Sequence, residues 1–176
     1  MKRTVAALLA ALAAISLCAS LSGCAQHTHI VVSSQRVGDF YCSMYEDDTL
    51  EIIKYMGDDA IVQIPSFMAD RSVVGISTRA FEGEENVEEV YLPSSMSTLP
   101  AKLFDNCPKL RSVYIPATVT SIGKLFITDC PEFTTIWFGG SEAQWNLISK
   151  GTVLTDNFTL SNAEVIFDYE VEINEP

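Results

Sequence analysis

Histidine is nearly missing from this chain: of 176 residues only His27 and His29 are histidine, and both precede residue 40. Downstream of them no Ser-His-Asp or Cys-His constellation can be assembled, because the general base is absent. Zinc chemistry is equally short of ligands, and two histidines with no further ligand at hand are a weak metal signal. Gly-x-Gly-x-x-Gly and phosphate-loop patterns do not occur either. Nor does a D-x-D-x-D-G calcium loop: Asp58-Asp59 is a bare pair, and Glu82, Glu84, Glu85, Glu88 and Glu89 read as a solvated acidic edge. The expectation is a protein with no catalytic residues, no cofactor and no metal. A glycosidase-like carboxylate pair is the one catalytic arrangement that residue types alone leave open.

Positive charge is scarce as well. Lys and Arg number 11 against 23 Asp and Glu, a formal net charge of −12. That balance argues against nucleic acid and against attraction to anionic lipid, both of which favour basic patches.

Long apolar runs are missing except at the start. Lys2 and Arg3 form a basic n-region, and Thr4 to Leu17 is apolar and uncharged. That run has the length of a signal-peptide core and is short of a membrane-spanning helix. Leu21-Ser22-Gly23-Cys24 follows, and it looks like a bacterial lipobox, in which a small residue precedes a cysteine that is acylated and becomes the new N-terminus. Cys18 fits less well, since Leu17 occupies the small-residue position. The resemblance implies a signal peptide over 1–23 and an extracytoplasmic protein held to a bacterial membrane by lipid on Cys24, because several acyl chains anchor far better than one. Cleavage there removes Lys2 and Arg3 and no acid, leaving nine basic against 23 acidic residues and a formal charge of −14. Residues 24–39 are polar and carry no repeat, so they read as a tether of up to about 45 Å when extended.

Five cysteines do not make a disulfide framework here. Cys18 leaves with the signal and Cys24 takes lipid, so Cys42, Cys107 and Cys130 remain, an odd number. Cys107 and Cys130 are 23 residues apart. Both a bridge across adjacent coils and a ladder of buried thiols are open to them.

That spacing pervades the rest of the chain. Val87-Glu88-Glu89-Val90-Tyr91-Leu92-Pro93 returns as Leu110-Arg111-Ser112-Val113-Tyr114-Ile115-Pro116, and again as Phe133-Thr134-Thr135-Ile136-Trp137-Phe138. Ile76, Leu99 and Ile122 keep the same beat, as do Phe81, Phe104 and Phe126, and Cys107-Pro108 and Cys130-Pro131. A period of about 20–29 residues built on an L-x-x-L-x-L strand predicts a leucine-rich-repeat solenoid, a short one of about four 23-residue coils with a parallel β-sheet on one face. Val87, Val90 and Leu92 and their equivalents point inward, and the proline after each strand ends it for want of a donor. Ile76, Leu99 and Ile122 fill a second inward column, and each Phe is expected on a short helical turn at the far side. Ala60-Ile61-Val62-Gln63-Ile64-Pro65 is a first, degenerate repeat, followed by an insertion around Met68 to Ser72 that lies beside the strand surface.

Both ends need covering. Phe40–Tyr45 and Leu50–Tyr55 flank Glu46-Asp47-Asp48-Thr49 and predict a β-hairpin cap. At the other end, Ser141 to Lys150 predicts a helix N-capped by Ser141, with Ala143, Leu147, Trp145 and Ile148 at helical spacing, and a last strand over Asn162 to Phe167. The repeat domain is thus placed at 40–168, as one domain, with an acidic frayed tail at 169–176.

The strand-Ile-Pro ending, Thr120-Ser121-Ile122-Gly123, Ala80-Phe81, Asp105-Asn106-Cys107-Pro108-Lys109-Leu110 and Phe138-Gly139-Gly140-Ser141-Glu142-Ala143-Gln144-Trp145-Asn146 together resemble the BspA-type leucine-rich-repeat proteins of bacterial surfaces. The resemblance spans Phe40 to Phe167 and implies a cell-surface binding or adhesion module with no catalytic residues to carry over. Leu99-Pro100 stands where that family's pattern has Ile-Gly.

The surface for such binding is sought on the outward strand positions. One column runs Gln63, Tyr91, Tyr114, Trp137, and its neighbour runs Ile61, Glu89, Ser112, Thr135. Exposed tyrosine and tryptophan bury well against a protein or a sugar face. Aromatic cross-strand pairs also stabilise a sheet by themselves. Two functions therefore stand: a lipid-anchored module displaying this face to a protein or glycan, and a non-catalytic spacer or scaffold of the cell envelope.

Overall fold

Adjacent coils of one length bring the same residue of each repeat to the same height, and that rule builds the molecule. The computed structural model describes residues 30–150 and 158–171, so the signal segment, Cys24, His27 and His29 lie outside the described residues. Three strands open it: β1 (Val31–Val37), β2 (Phe40–Tyr45) and β3 (Thr49–Tyr55). The expected hairpin is β2–β3, antiparallel with Cys42 opposite Ile52 and Met44 opposite Leu50, all four buried. Its loop is one residue shorter than expected because Thr49 is already in the strand. Asp47 closes the turn by accepting from the Thr49 N–H and hydroxyl, and Asp48 takes φ 59°.

Over Val31–Val37, β1 corrects the expectation of a tether over 24–39; residues 24–29 lie outside the described residues. Val31–Val37 pairs antiparallel with β2 and covers what is otherwise that strand's open edge. Its side chains are exposed almost throughout. Backbone pairing, not burial, fixes this strand, and hydrophobic periodicity cannot mark it.

β4 (Ile61–Gln63) begins the repeats, and then comes the insertion as β5 (Phe67–Met68) and β6 (Arg71–Ile76). These two form a hairpin through Ala69 and Asp70, both at positive φ (51° and 58°), the backbone of a mirror-image turn. β6 pairs parallel with β3, giving the cap sheet the order β1-β2-β3-β6-β5. The insertion therefore joins the cap sheet and does not extend the parallel sheet.

The solenoid follows as β7 (Glu89–Tyr91), β8 (Thr98–Leu99), β9 (Phe104–Asp105), β10 (Ser112–Ile115), β11 (Ser121–Ile122), β12 (Ile127–Thr128) and β13 (Thr135–Phe138). It closes with helices α1 (Glu142–Leu147) and α2 (Phe158–Asn162) and strand β14 (Glu164–Ile166). The principal sheet runs β14-β13-β10-β7-β4, parallel throughout. Val62, Val90, Val113, Ile136 and Val165 share one register row, and the first four are buried. Each coil then turns twice more, through the β8–β11 pair, where Leu99 faces Ile122, and the β9–β12 pair. The result is a leucine-rich-repeat solenoid of about four turns. No repeat could bury its apolar residues alone; stacking does it for all of them.

The corners repeat as faithfully as the strands. Arg79, Lys102 and Leu125 each adopt positive φ, and so do Gly83, Asn106 and Asp129. Each set recurs every 23 residues. Coils are stitched on this side by Phe81 N–H to Leu103 carbonyl (3.2 Å), Phe104 N–H to Phe126 carbonyl (3.0 Å) and Asn106 N–H to Thr128 carbonyl (3.0 Å). The expected turn is present at Phe81, closed by Ala80 N–H to the Ser77 carbonyl (3.2 Å) and Glu82 N–H to the Arg79 carbonyl (3.1 Å). It is corrected at Phe104, which opens the two-residue strand β9, while Phe126 immediately precedes the two-residue strand β12. Phe104 pairs in register with Ile127 and not with Phe126. The phenylalanines nonetheless meet, Phe81 to Phe104 at 5.3 Å and Phe104 to Phe126 edge-on at 5.5 Å. Tyr55 and Phe40 extend this aromatic spine into the cap.

Cys42, Cys107 and Cys130 are buried free thiols. Cys107 Sγ donates to the Phe81 carbonyl at 2.8 Å and Cys130 Sγ to the Thr128 carbonyl at 3.2 Å. The ladder, not the bridge, is what this structure holds.

At the C-terminal end Ser141 caps α1 as expected, in a capping box with Gln144. Trp145 and Ile148 are buried, while Ala143 and Leu147 face solvent, so one of the two spaced pairs serves the core. The expected last strand is β14. The tail expected at 169–176 is corrected at its first residue: the Tyr169 N–H donates to the Phe138 carbonyl at 3.1 Å and its ring packs on the sheet.

Candidate binding face

Parallel in-register pairing places the outward side chains in rows. Gln63 lies opposite Tyr91, Tyr91 opposite Tyr114, and Tyr114 opposite Trp137, so the four residues form one column across β4, β7, β10 and β13. Ile166 of β14 continues it. The neighbouring row is Ile61, Glu89, Ser112, Thr135 and Glu164.

The rings lean into one another. Tyr91 and Tyr114 stack at 6.1 Å, and Tyr91 approaches Trp137 at 5.7 Å. Tyr169, which follows β14, lies flat on the Trp137 indole, with centroids 5.2 Å apart and 11° between planes, and reaches Tyr114 at 6.1 Å. The column is consequently a cluster of four aromatic rings, each half-buried, with Gln63 exposed at its open end.

Sequence reasoning missed Tyr169, which falls outside the 23-residue beat and sits in an acidic stretch. An aromatic residue among acids shortly after the last strand is the one signal that pointed to it.

Polar atoms set the edge of the face. The Tyr91 hydroxyl donates to Glu89 Oε2 at 3.2 Å. Burial, with the Glu89 carboxylate and Tyr169 beside it, pushes the Tyr91 hydroxyl up to about 12. Burial raises that of Tyr114 as well. Thr135 is half-buried and within 3.2 Å of the Thr134 hydroxyl. Ser112 departs from the expected exposed row: it is 4% exposed, a short side chain between the longer Glu89 and Thr135. It therefore offers no contact to a partner. At Gly139 a Cβ would fall 2.5 Å from the Tyr114 hydroxyl, so the missing side chain makes room for that ring.

The acidic edge disperses its charge. Glu82 approaches Arg79, Glu84 approaches Lys54, and Glu88 pairs with Arg111 at 3.0 Å. Among the described residues no group of three or more His, Cys, Asp or Glu converges to hold a metal ion. What the face can supply is ring surface, the three phenolic hydroxyls of Tyr91, Tyr114 and Tyr169, and the Glu89 carboxylate: groups for stacking and hydrogen bonding.

Fold and face together define a leucine-rich-repeat solenoid whose flat sheet carries an aromatic patch. The chain belongs to the BspA type leucine rich repeat region family, whose model matches six copies over residues 59–152, more than half of the sequence. Among solved structures the chain is similar to a leucine rich repeat protein of T. pallidum, at 19% identity and TM-score 0.44 over 69% of this chain and 83% of that one. It is similar also to a leucine rich cell surface protein of Faecalibacterium prausnitzii, at 20% identity and TM-score 0.41 over 70% of this chain and 44% of that one. A third is a leucine-rich repeat protein of Bacteroides capillosus, at 15% identity and TM-score 0.39 over 76% and 99%. No curated protein matches.

Proposed function

We propose that the chain is a lipid-anchored binding module on the outside of a bacterial cell, displaying the aromatic column of its sheet to a protein or glycan partner. The observation that carries this reading is the register that sets Tyr91, Tyr114 and Trp137 on one line across three strands. Rings aligned on a flat sheet make a patch that is amphipathic, rigid and cheap in entropy to bury. Family membership supports a repeat-built contact surface and no chemistry. The lipobox-like Leu21-Ser22-Gly23-Cys24 supports anchoring, and the strongly acidic composition supports a partner other than nucleic acid.

The test is residues 25–176 probed against an array of glycans and extracellular proteins, beside the triple variant Tyr91→Ser, Tyr114→Ser, Trp137→Ser. Specific capture that the triple variant loses while its circular dichroism stays native supports display. Fatty-acid labelling that disappears in Cys24→Ser tests the anchor separately.

The half-burial of the same rings favours a second reading, an envelope spacer in which they only stabilise the sheet. It predicts that the triple variant loses stability and no binding.

A further inference from the structure

The aromatic column is not vacant in this structure: the chain itself occupies it. After β14 the backbone reverses at Asp168, which takes φ 53°, and its N–H donates to the Gly140 carbonyl at 2.9 Å. Tyr169 then docks by three contacts at once. Its N–H reaches the Phe138 carbonyl at 3.1 Å, its ring lies parallel on Trp137, and the same ring reaches that of Tyr114 at 6.1 Å. Acidic Glu170 follows, exposed.

We infer that the segment Asp168–Glu170 is a built-in occupant of the binding face, and that the partner displacing it is an extended polypeptide segment presenting an aromatic side chain. This rests on reading the aromatic column as the contact surface. The mode of docking selects the class of partner. A backbone N–H on the sheet's Phe138 carbonyl and, on the same residue, an aromatic ring stacked on Trp137 are what an extended peptide offers in one piece; a sugar face can stack, but it brings no aromatic ring beside its donor. The occupancy also sets the conditions of binding. A short intramolecular segment acts at roughly millimolar effective concentration, so a partner must outcompete it or find it opened. The solenoid beneath needs no movement, since Phe138 and Trp137 belong to a strand hydrogen-bonded on both sides.

The experiment uses the full chain in detergent with Trp145→Phe, so that Trp137 is the one tryptophan emitting. Adding Tyr169→Ser is expected to shift the Trp137 emission to the red and to remove its protection from acrylamide, while Tyr169→Phe keeps both. A synthetic peptide of residues 167–176 should restore protection to the Tyr169→Ser protein, and the same peptide carrying Tyr169→Ser should not. Circular dichroism confirms that each variant is folded. Unchanged Trp137 emission in Tyr169→Ser overturns the inference, as does equal protection by both peptides. Glycans that gain affinity for Tyr169→Ser when the tyrosine peptide does not bind overturn the choice of partner. A silent array beside a positive peptide result removes the display reading and leaves the occupancy standing.

Discussion

Tyr55 and Phe81 lie face to face, their ring centroids 5.1 Å apart and their planes 13° from parallel, and that contact joins the cap to the solenoid. Tyr55 ends β3 of the N-terminal hairpin, and Phe81 begins the aromatic spine of the coils. The backbone repeats the connection, with the Tyr55 N–H on the Ala80 carbonyl at 2.9 Å. Both rings are essentially inaccessible to water.

Tyr55→Ala should therefore cost about 3–5 kcal/mol, the usual loss for a large ring in a core, and expose the first coil. Tyr55→Phe keeps the ring but leaves the Asp59 N–H without its phenolic acceptor, 3.1 Å away, and should cost only about 0.5–1.5 kcal/mol. Urea unfolding of the two variants checks the ratio. Equal losses would mean the hydrogen bond, and not the packing, joins cap to coil.

Two glycines should respond in opposite ways. A Cβ on Gly123 would fall 2.3 Å from the Ala101 nitrogen and 2.6 Å from the Pro100 carbonyl carbon, so adjacent coils must part. Gly123→Ala is expected to cost about 1–3 kcal/mol. Gly83 has open space around it and φ +75°, at a corner that Asn106 and Asp129 fill one and two coils later. Gly83→Asn should be close to neutral, because asparagine tolerates that conformation. Thermal midpoints of both variants decide the matter.

Tyr91 gives the face a pH dependence. Its hydroxyl is raised from 10.0 to about 12, chiefly by burial and then by Glu89. A phenol raised on folding adds stability that is complete below the unfolded value and is lost as pH rises through the folded one. The contribution should thus be present at neutral pH and fade between 10 and about 12. Tyr45 is also pushed up to about 12, so phenolate absorbance followed against pH should lose one of two late-titrating phenols in Tyr91→Phe. Amplitude lost near 10 instead, with the late component unchanged, would show that Tyr91 titrates as an exposed phenol.

Arg111 makes the opposite kind of prediction. It bridges Glu88 and Glu132 on the coils either side, at 3.0 Å each, yet its side chain is 57% exposed. Exposed pairs add little, since water and salt screen them and side-chain entropy opposes them. Arg111→Ala should leave the unfolding midpoint unchanged at physiological salt. A clear loss would show the ladder of charges to be a structural element.

The coils were legible in the sequence because Val90, Val113 and Ile136 recur at one spacing and nothing but stacking satisfies them. The hairpin and the Ser141 cap were legible through local chemistry. Less was visible where structure rests on backbone pairing or on distant contacts. β1 offers no apolar alternation, Phe104 pairs with Ile127 although Phe126 keeps the phenylalanine pattern, and Ser112 is buried by the length of its neighbours. Of the candidate face, the column of Gln63, Tyr91, Tyr114 and Trp137 could be written down in order beforehand; its fourth ring could not.

By itself the sequence determined that the chain coils with a fixed period, and hence which residues lie in line on the sheet, because equal coil lengths stacked in parallel leave one register. Tertiary structure alone decided where the non-repeating pieces go. The β5–β6 insertion joined the cap sheet, Val31–Val37 closed its edge, and Tyr169 returned onto Trp137. Such contacts are set by which edges and ring faces remain open once the coils have formed, and no local pattern encodes that.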